Sequence, residues 1–117
     1  MRERVLIVDD HKPFRAVARR VLEAAGYVVA GEAADAAEAY AAVAAEAPDA
    51  VLLDVQLPDE DGFAIATALA AANGPAVVLI SSREADEYGT RIDACGARGF
   101  IPKSKLSAAA FAALLSG

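Results

Sequence analysis

Short apolar runs recur along this chain, and four of them stop at chemically active residues. Val5–Val8 runs into Asp9 and Asp10, Val51–Leu53 into Asp54, Ala76–Ile80 into Ser81 and Ser82, and Gly99–Pro102 into Lys103. A fifth, Tyr27–Ala33, is weakened by Gly31 and Glu32 and reads as an edge strand. Runs of this kind, bounded by turn signals, suit strands buried on both faces of a parallel sheet. Pro102 is tolerable only at a strand end or on an edge strand, which places the fifth strand at the other border.

Helical periodicity fills the intervals. Pro13 fits a first helical turn, where its missing N–H costs nothing. Phe14, Val17, Ala18, Val21 and Leu22 follow at helical spacing, with Arg15, Arg19 and Glu23 on the other side, and Gly26 ends the helix. Asp35 followed by Glu38 resembles a capping box, opening a helix that runs to about Ala47 with Ala37, Tyr40, Ala41 and Ala44 as its inner stripe. A third helix spans about Phe63–Ala72 with Ile65, Ala66 and Leu69 inward. A fourth is expected over Glu84–Cys95, with Ala85, Tyr88, Ile92 and Cys95 on one side and Gly89 weakening its middle. A last helix, Leu106–Leu115, faces in through Phe111, Leu114 and Leu115.

Strand and helix thus alternate five times. That order predicts an α/β, doubly wound (βα)5 domain of the flavodoxin-like type, with a five-stranded parallel sheet in order 2-1-3-4-5 and right-handed crossovers. Residues 1–117 read as a single domain, large enough for its own core.

Composition narrows the function classes. A net charge of -6 argues against gripping DNA or RNA by phosphate neutralisation, and against an anionic membrane surface. No apolar run reaches the roughly 18 residues of a membrane-spanning helix. Met1-Arg2-Glu3-Arg4 leads straight into strand pattern, without the look of a signal peptide. Cys95 stands alone, so neither a disulfide framework nor zinc spacing exists. A cytoplasmic setting is the expectation.

In strand order 2-1-3-4-5 the first and third strands are neighbours at the switch point, so Asp9, Asp10 and Asp54 should converge. Clustered carboxylates repel unless a proton or a cation intervenes. Oxygen-only ligation suits Mg2+. A metal beside a carboxylate and Lys103 is equipment for phosphoryl transfer, with Asp54 as the nucleophile.

The motifs VDD at Val8–Asp10, D-x-x-L-P-x-x-D-G at Asp54–Gly62, S-S at Ser81-Ser82 and G-F-I-P-K at Gly99–Lys103 appear in order along nearly the whole chain. Together they resemble the receiver domain of two-component response regulators, a CheY-like domain. The resemblance implies phosphorylation of Asp54 by a histidine kinase. It implies Mg2+ held by Asp10 directly, Asp9 mainly through water, Asp54, and the backbone carbonyl of Gln56. Ser81 and Lys103 would bind the phosphoryl group, Ser82 would leave the site open, and Phe100 would be the switch aromatic. Gln56 and Arg83, each two residues past a key position, would tune dephosphorylation. The surface of the fourth helix, fifth strand and fifth helix would carry the output, and a homodimer formed on phosphorylation is left open.

Two departures stand out. Ser81 sits where the family very often has threonine, and Ser104 follows Lys103 where many receivers have a proline in a cis bond; a trans bond is expected here. The K-S pair, with His11 after the acids, is more similar to receivers of the NarL/LuxR type, which carry a helix-turn-helix output domain; no such domain is present in this sequence.

Other residues read more simply. His11 suits a solvated loop, Cys95 a helix-face hydrophobe, Tyr40 the core or its border, and Asp59 and Glu60 solvated loop tips. Two alternative functions compete with the switch. A haloacid dehalogenase-type phosphohydrolase would need D-x-D, but Gln56 occupies the second acid's place. A receiver-like interaction scaffold would not need the complete set Asp9, Asp10, Asp54, Ser81 and Lys103. No G-x-x-x-x-G-K-[ST] pattern supports a nucleotide-driven switch.

Overall fold

Because successive side chains on a strand point to opposite faces, the apolar runs supply two cores at once. In the computed structural model, which describes residues 3–116, Leu6, Val8, Val51, Leu53, Val77 and Leu79 face one layer of helices. Val5, Ile7, Leu52, Val78 and Ile80 face the other. All are buried, and each contributes roughly 1.5–3 kcal/mol of transfer free energy.

The strands are β1 Arg4–Val8, β2 Val28–Ala33, β3 Ala50–Asp54, β4 Ala76–Ser81 and β5 Gly99–Pro102. The helices are α1 Lys12–Ala24, α2 Ala36–Glu46, α3 Gly62–Ala71, α4 Arg91–Ala94 and α5 Ala108–Ser116, with short 3-10 turns at Ala85–Glu87 and Lys103–Lys105. The sheet is parallel throughout and ordered β2-β1-β3-β4-β5. Residues of α2, α3 and α4 cover one face. Those of α1 and α5 cover the other, where Phe111 is fully buried and meets Tyr27 edge-on at 5.3 Å. The expected architecture and strand order are therefore those observed, and Pro102 does end an edge strand. No peptide bond among the described residues is cis, so Lys103–Ser104 is trans as expected. The reading of Met1 and Arg2 as a leaderless start lies outside the described residues.

Four expectations need correction. The continuous helix over Glu84–Cys95 does not form. Gly89 adopts φ +58°, a left-handed conformation that separates the 3-10 turn from a four-residue α4. Glu84 and Glu87 satisfy each other's backbone amides in a capping box, so the local start signal is spent on that single turn.

The inner face of α2 is also displaced. Ala36 and Ala39 are buried, with Tyr40 and Val43 packed beside them, whereas Ala37, Ala41 and Ala44 are exposed. A helix so rich in alanine has little apolar asymmetry, and tertiary contacts chose its rotation. On α1, Ala18 and Leu22 are buried as expected, but Val17 is 48% exposed. Arg15 turns back from solvent, its Nε 2.9 Å from Glu32 on β2.

Asp59 is exposed as expected of a loop tip and Glu60 is half-buried, but neither side chain is free. Asp59 accepts hydrogen bonds from the amides of Ala36 (2.8 Å) and Ala37 (3.2 Å) at the start of α2. The Tyr40 hydroxyl donates to Glu60 at 2.9 Å. Asp35 caps the same helix by accepting from the Glu38 amide, while Glu38 accepts from Ala34, one residue earlier than a capping box requires. The loop after β3 is thus tied to α2 at two points.

Candidate functional site

The carboxyl ends of β1, β3, β4 and β5 meet at one edge of the sheet. Asp9 follows β1 and is fully buried; Asp54 closes β3 and is nearly so; Asp10 is exposed. Each places a carboxylate oxygen within 4.8 Å of the other two. The first and third strands are neighbours in register, Val8 beside Leu53, and this brings the acids together.

Lys103, just past β5, answers that charge. Its Nζ lies 2.6 Å from Asp9 Oδ2 and 3.2 Å from Asp54 Oδ2. The same ammonium sits 4.7 Å from the centre of the Phe14 ring on α1, a cation–π contact. Lys103 donates a hydrogen bond to Asp54, whereas its closer contact with Asp9 is an ion pair. Apart from that ion pair, Asp9 Oδ2 is buried with no hydrogen-bond partner. Asp9 Oδ1 accepts from the His11 amide at 2.8 Å, and the Asp9 carbonyl accepts from Arg15 at 2.6 Å.

Backbone geometry fixes Asp54. The Gln56 amide donates to its Oδ1 at 3.1 Å. The amide of Gly62 donates to the Val55 carbonyl at 2.7 Å, pressing the start of α3 against the end of β3. A β-carbon at Gly62 would lie 2.6 Å from the Asp54 carbonyl oxygen, so glycine's missing side chain makes room for this approach.

Electrostatics pull Asp54 both ways. Burial pushes its carboxyl up, the Gln56 amide pulls it down, the Asp9 charge pushes it up and Lys103 pulls it down; the net position is above the ordinary aspartate value. For Lys103, burial alone would lower the ammonium, but Asp9 and Asp54 outweigh it and hold the group above the ordinary lysine value.

The end of β4 differs from expectation in its contacts. Ser81 is fully buried, and its Oγ shares a 2.7 Å hydrogen bond with the Tyr88 hydroxyl and accepts from the Arg83 amide at 3.1 Å. The Tyr88 ring lies between Phe63 and Phe100, with centroid distances of 5.2 Å and 5.7 Å. Phe100 is half-buried; Ser82, Gln56 and Arg83 are exposed, with Arg83 3.9 Å from Glu87.

The structure thus brings Asp9, Asp10, Asp54 and Lys103 into one cluster and sets Ser81 at its border, turned toward Tyr88. Tyr88, Phe14, Arg15 and Gly62 contribute to this edge without having been assigned a role in the site from the sequence. Only Gly62 carried a signal, its place in the D-G pair after Pro58.

An α/β sheet in this order with three converging acids and a lysine at its carboxyl edge defines a class, and the comparisons with known proteins name it. The model of the response regulator receiver domain matches residues 5–114, and the chain belongs to that family: it is a receiver domain of the two-component response regulators. It is 34% identical over 101 residues to a putative transcriptional regulator of Pseudomonas aeruginosa, covering 86% of this chain and 49% of that one. It is 38% identical over 102 residues to the probable transcriptional regulatory protein NarL of Mycobacterium tuberculosis H37Rv, covering 86% and 47%. The signal receiver domain of the putative response regulator NarL from M. tuberculosis superposes with a TM-score of 0.86 at 33% identity, over 99% of this chain and 98% of that one. The chain spans about half the length of these two curated relatives. No helix among the described residues is long and apolar enough to cross a membrane.

Proposed function

We propose that Asp54 is the phosphoacceptor of this receiver domain and that residues 1–117 act together as one switch module. The observation that carries this reading is a buried carboxylate flanked by Asp9, Asp10 and the Lys103 ammonium. An Asp54 carboxylate oxygen attacks the phosphorus of a phosphohistidine on a partner histidine kinase. The P–N bond breaks, the imidazole leaves with its electron pair, and an aspartyl phosphate remains. Lys103 and Ser81 receive the new charge, about -1.5 to -2 for a phosphoryl group. Aspartyl phosphate formation and its slow hydrolysis are the only reactions assigned to the domain.

The donor set fits Mg2+. It is all oxygen, its three carboxylates lie within 4.8 Å of one another, and exposed Asp10 opens the buried pair to solvent. Asp10, Asp54 and the Gln56 carbonyl would hold the ion directly and Asp9 mainly through water. Bound there, Mg2+ would neutralise charge on the transferred phosphoryl group.

Phe100, beside Tyr88, serves in this reading as the switch aromatic, and Ser82, small and exposed, leaves access to Asp54. The output surface is α4, β5 and α5. A regulator of this kind works in the cytoplasm with its kinase, and pairing of two receivers on phosphorylation is one route to output. A longer chain carrying a DNA-binding domain would match the length of the curated relatives. The phosphohydrolase and scaffold alternatives gain no observation in their favour.

Incubation with Mg2+ and a small acyl phosphate should add one phosphoryl group by mass, and Asp54→Ala should abolish the addition. Phosphoryl retained by that variant would move the chemistry to another residue.

A further inference from the structure

The proposed function sets Ser81 against a phosphoryl group, yet both of its side-chain hydrogen bonds go to Tyr88 and Arg83. A serine hydroxyl has one proton to give and two lone pairs to receive. The Arg83 amide occupies one lone pair at 3.1 Å. The Tyr88 hydroxyl, at 2.7 Å, takes a second valence. Ser81 is fully buried and makes no hydrogen bond to Asp54 or Lys103, so its proton has one acceptor within reach, the Tyr88 oxygen. Leaving that proton unpaired would carry a desolvation penalty, which favours Ser81 as the donor in this pair. Tyr88 itself is half-buried.

We infer that Tyr88 is a positioning residue that holds the Ser81 hydroxyl away from Asp54, and that the phosphoryl group must displace the Tyr88 hydroxyl to recruit Ser81. This rests on Asp54 being the phosphoacceptor. The setting adds a consequence. Tyr88 is the residue that ends the 3-10 turn, and Gly89 follows at φ +58° before α4 begins. Its ring spans Phe63 on α3 and Phe100 on β5. Movement of Tyr88 away from Ser81 therefore shifts a three-ring cluster where the 3-10 turn ends and Gly89 turns left-handed. The Tyr88 hydroxyl occupies the position beside Ser81 Oγ, and its ring contacts Phe100, so on this inference movement of Tyr88 is felt by both residues.

The test is beryllofluoride binding in the presence of Mg2+, compared in wild type, Tyr88→Phe, Ser81→Ala and the double variant. Phenylalanine keeps the ring and removes only the hydroxyl that engages Ser81. Tyr88→Phe should tighten beryllofluoride binding by about two- to tenfold, the worth of one net hydrogen bond. The gain should vanish in the Ser81→Ala background, because the tyrosine acts through that hydroxyl. Unchanged or weaker binding in Tyr88→Phe, or a gain that persists without Ser81, would overturn the inference. In wild type, backbone amide NMR shifts at Arg83 and Tyr88 should move on beryllofluoride addition; if they stay fixed, the inference fails even should the variant not fold. Wild type that binds no beryllofluoride and takes no phosphoryl group from an acyl phosphate would instead remove the phosphoacceptor reading itself.

Discussion

The Lys103 ammonium lies closer to Asp9 than to Asp54, at 2.6 Å against 3.2 Å, and so one cation serves two buried carboxylates. Neither acid is fully compensated. Asp54 shows the consequence: burial first, and then the Asp9 charge, raise its carboxyl above the ordinary value despite Gln56 and Lys103. A pKa raised by folding means stability that is present below the unfolded value and is lost as pH rises through the folded one. Ionised Asp54 thus works against the fold at neutral pH. Asp54→Asn should unfold at higher urea than wild type at pH 7, and the difference should shrink in acid, where wild-type Asp54 is protonated. Mg2+ should stabilise the wild type and much less this variant, and Asp10→Asn should also bind Mg2+ more weakly. Equal urea midpoints at pH 7 would contradict the uncompensated charge.

Gly62 has no room for a side chain. A β-carbon there would meet the Asp54 carbonyl oxygen at 2.6 Å and the Val55 Cα at 2.8 Å, and both are backbone atoms that cannot swing aside. Gly62→Ala should destabilise by about 1–3 kcal/mol, the usual range for overpacking. It should also slow phosphoryl uptake by pushing α3 off the end of β3. Denaturant unfolding with and without the substitution measures the first effect, and a normal midpoint would show that the loop yields.

If Asp54 carries the phosphoryl group as proposed, its hydrolysis is the reaction open to solvent-facing residues. Gln56 and Arg83 are both exposed and flank the strand ends that carry Asp54 and Ser81. Gln56→Ala and Arg83→Ala should each change the rate of phosphoryl loss while leaving its attachment to Asp54 intact. Mass spectrometry over time reads this directly, and unaltered decay in both variants would assign the tuning elsewhere.

Burial and then the Glu60 carboxylate push the Tyr40 phenol up to about 12. Since folding raises this pKa, stability falls as pH climbs from the ordinary tyrosine value of about 10 toward 12. In a spectrophotometric titration Tyr40 should ionise late, and Tyr40→Phe should remove that late step. The same variant should unfold more easily at neutral pH, because the loop after β3 loses one of its ties to α2.

The three helix regions that departed from expectation share a cause. For α2, alanine at most positions offers no face more apolar than another, so the burial of Ala36 and Ala39 was chosen by the sheet rather than by the pattern. In the stretch from Glu84 to Cys95, helical spacing was genuine, yet Gly89 took a left-handed turn while Arg91 settled 4.3 Å from the centre of the Phe63 ring and 3.3 Å from Asp61. On α1, Arg15 left the solvent side for Glu32 and the Asp9 carbonyl.

What the amino-acid order determined by itself is the alternation of buried strand and helix, and with it the sheet order and the edge where Asp9, Asp10, Asp54, Ser81 and Lys103 emerge. Those features follow from local signals: apolar runs, turn residues and the two-residue period of a strand. The tertiary structure alone decided which cation meets which acid, that Asp59 and Glu60 tether a loop to α2, and that Ser81 faces Tyr88 instead of Asp54. The physical reason is range. A strand's face is set by its own residues, whereas a hydroxyl's partner is whichever polar atom the packing of distant helices leaves within about 3 Å.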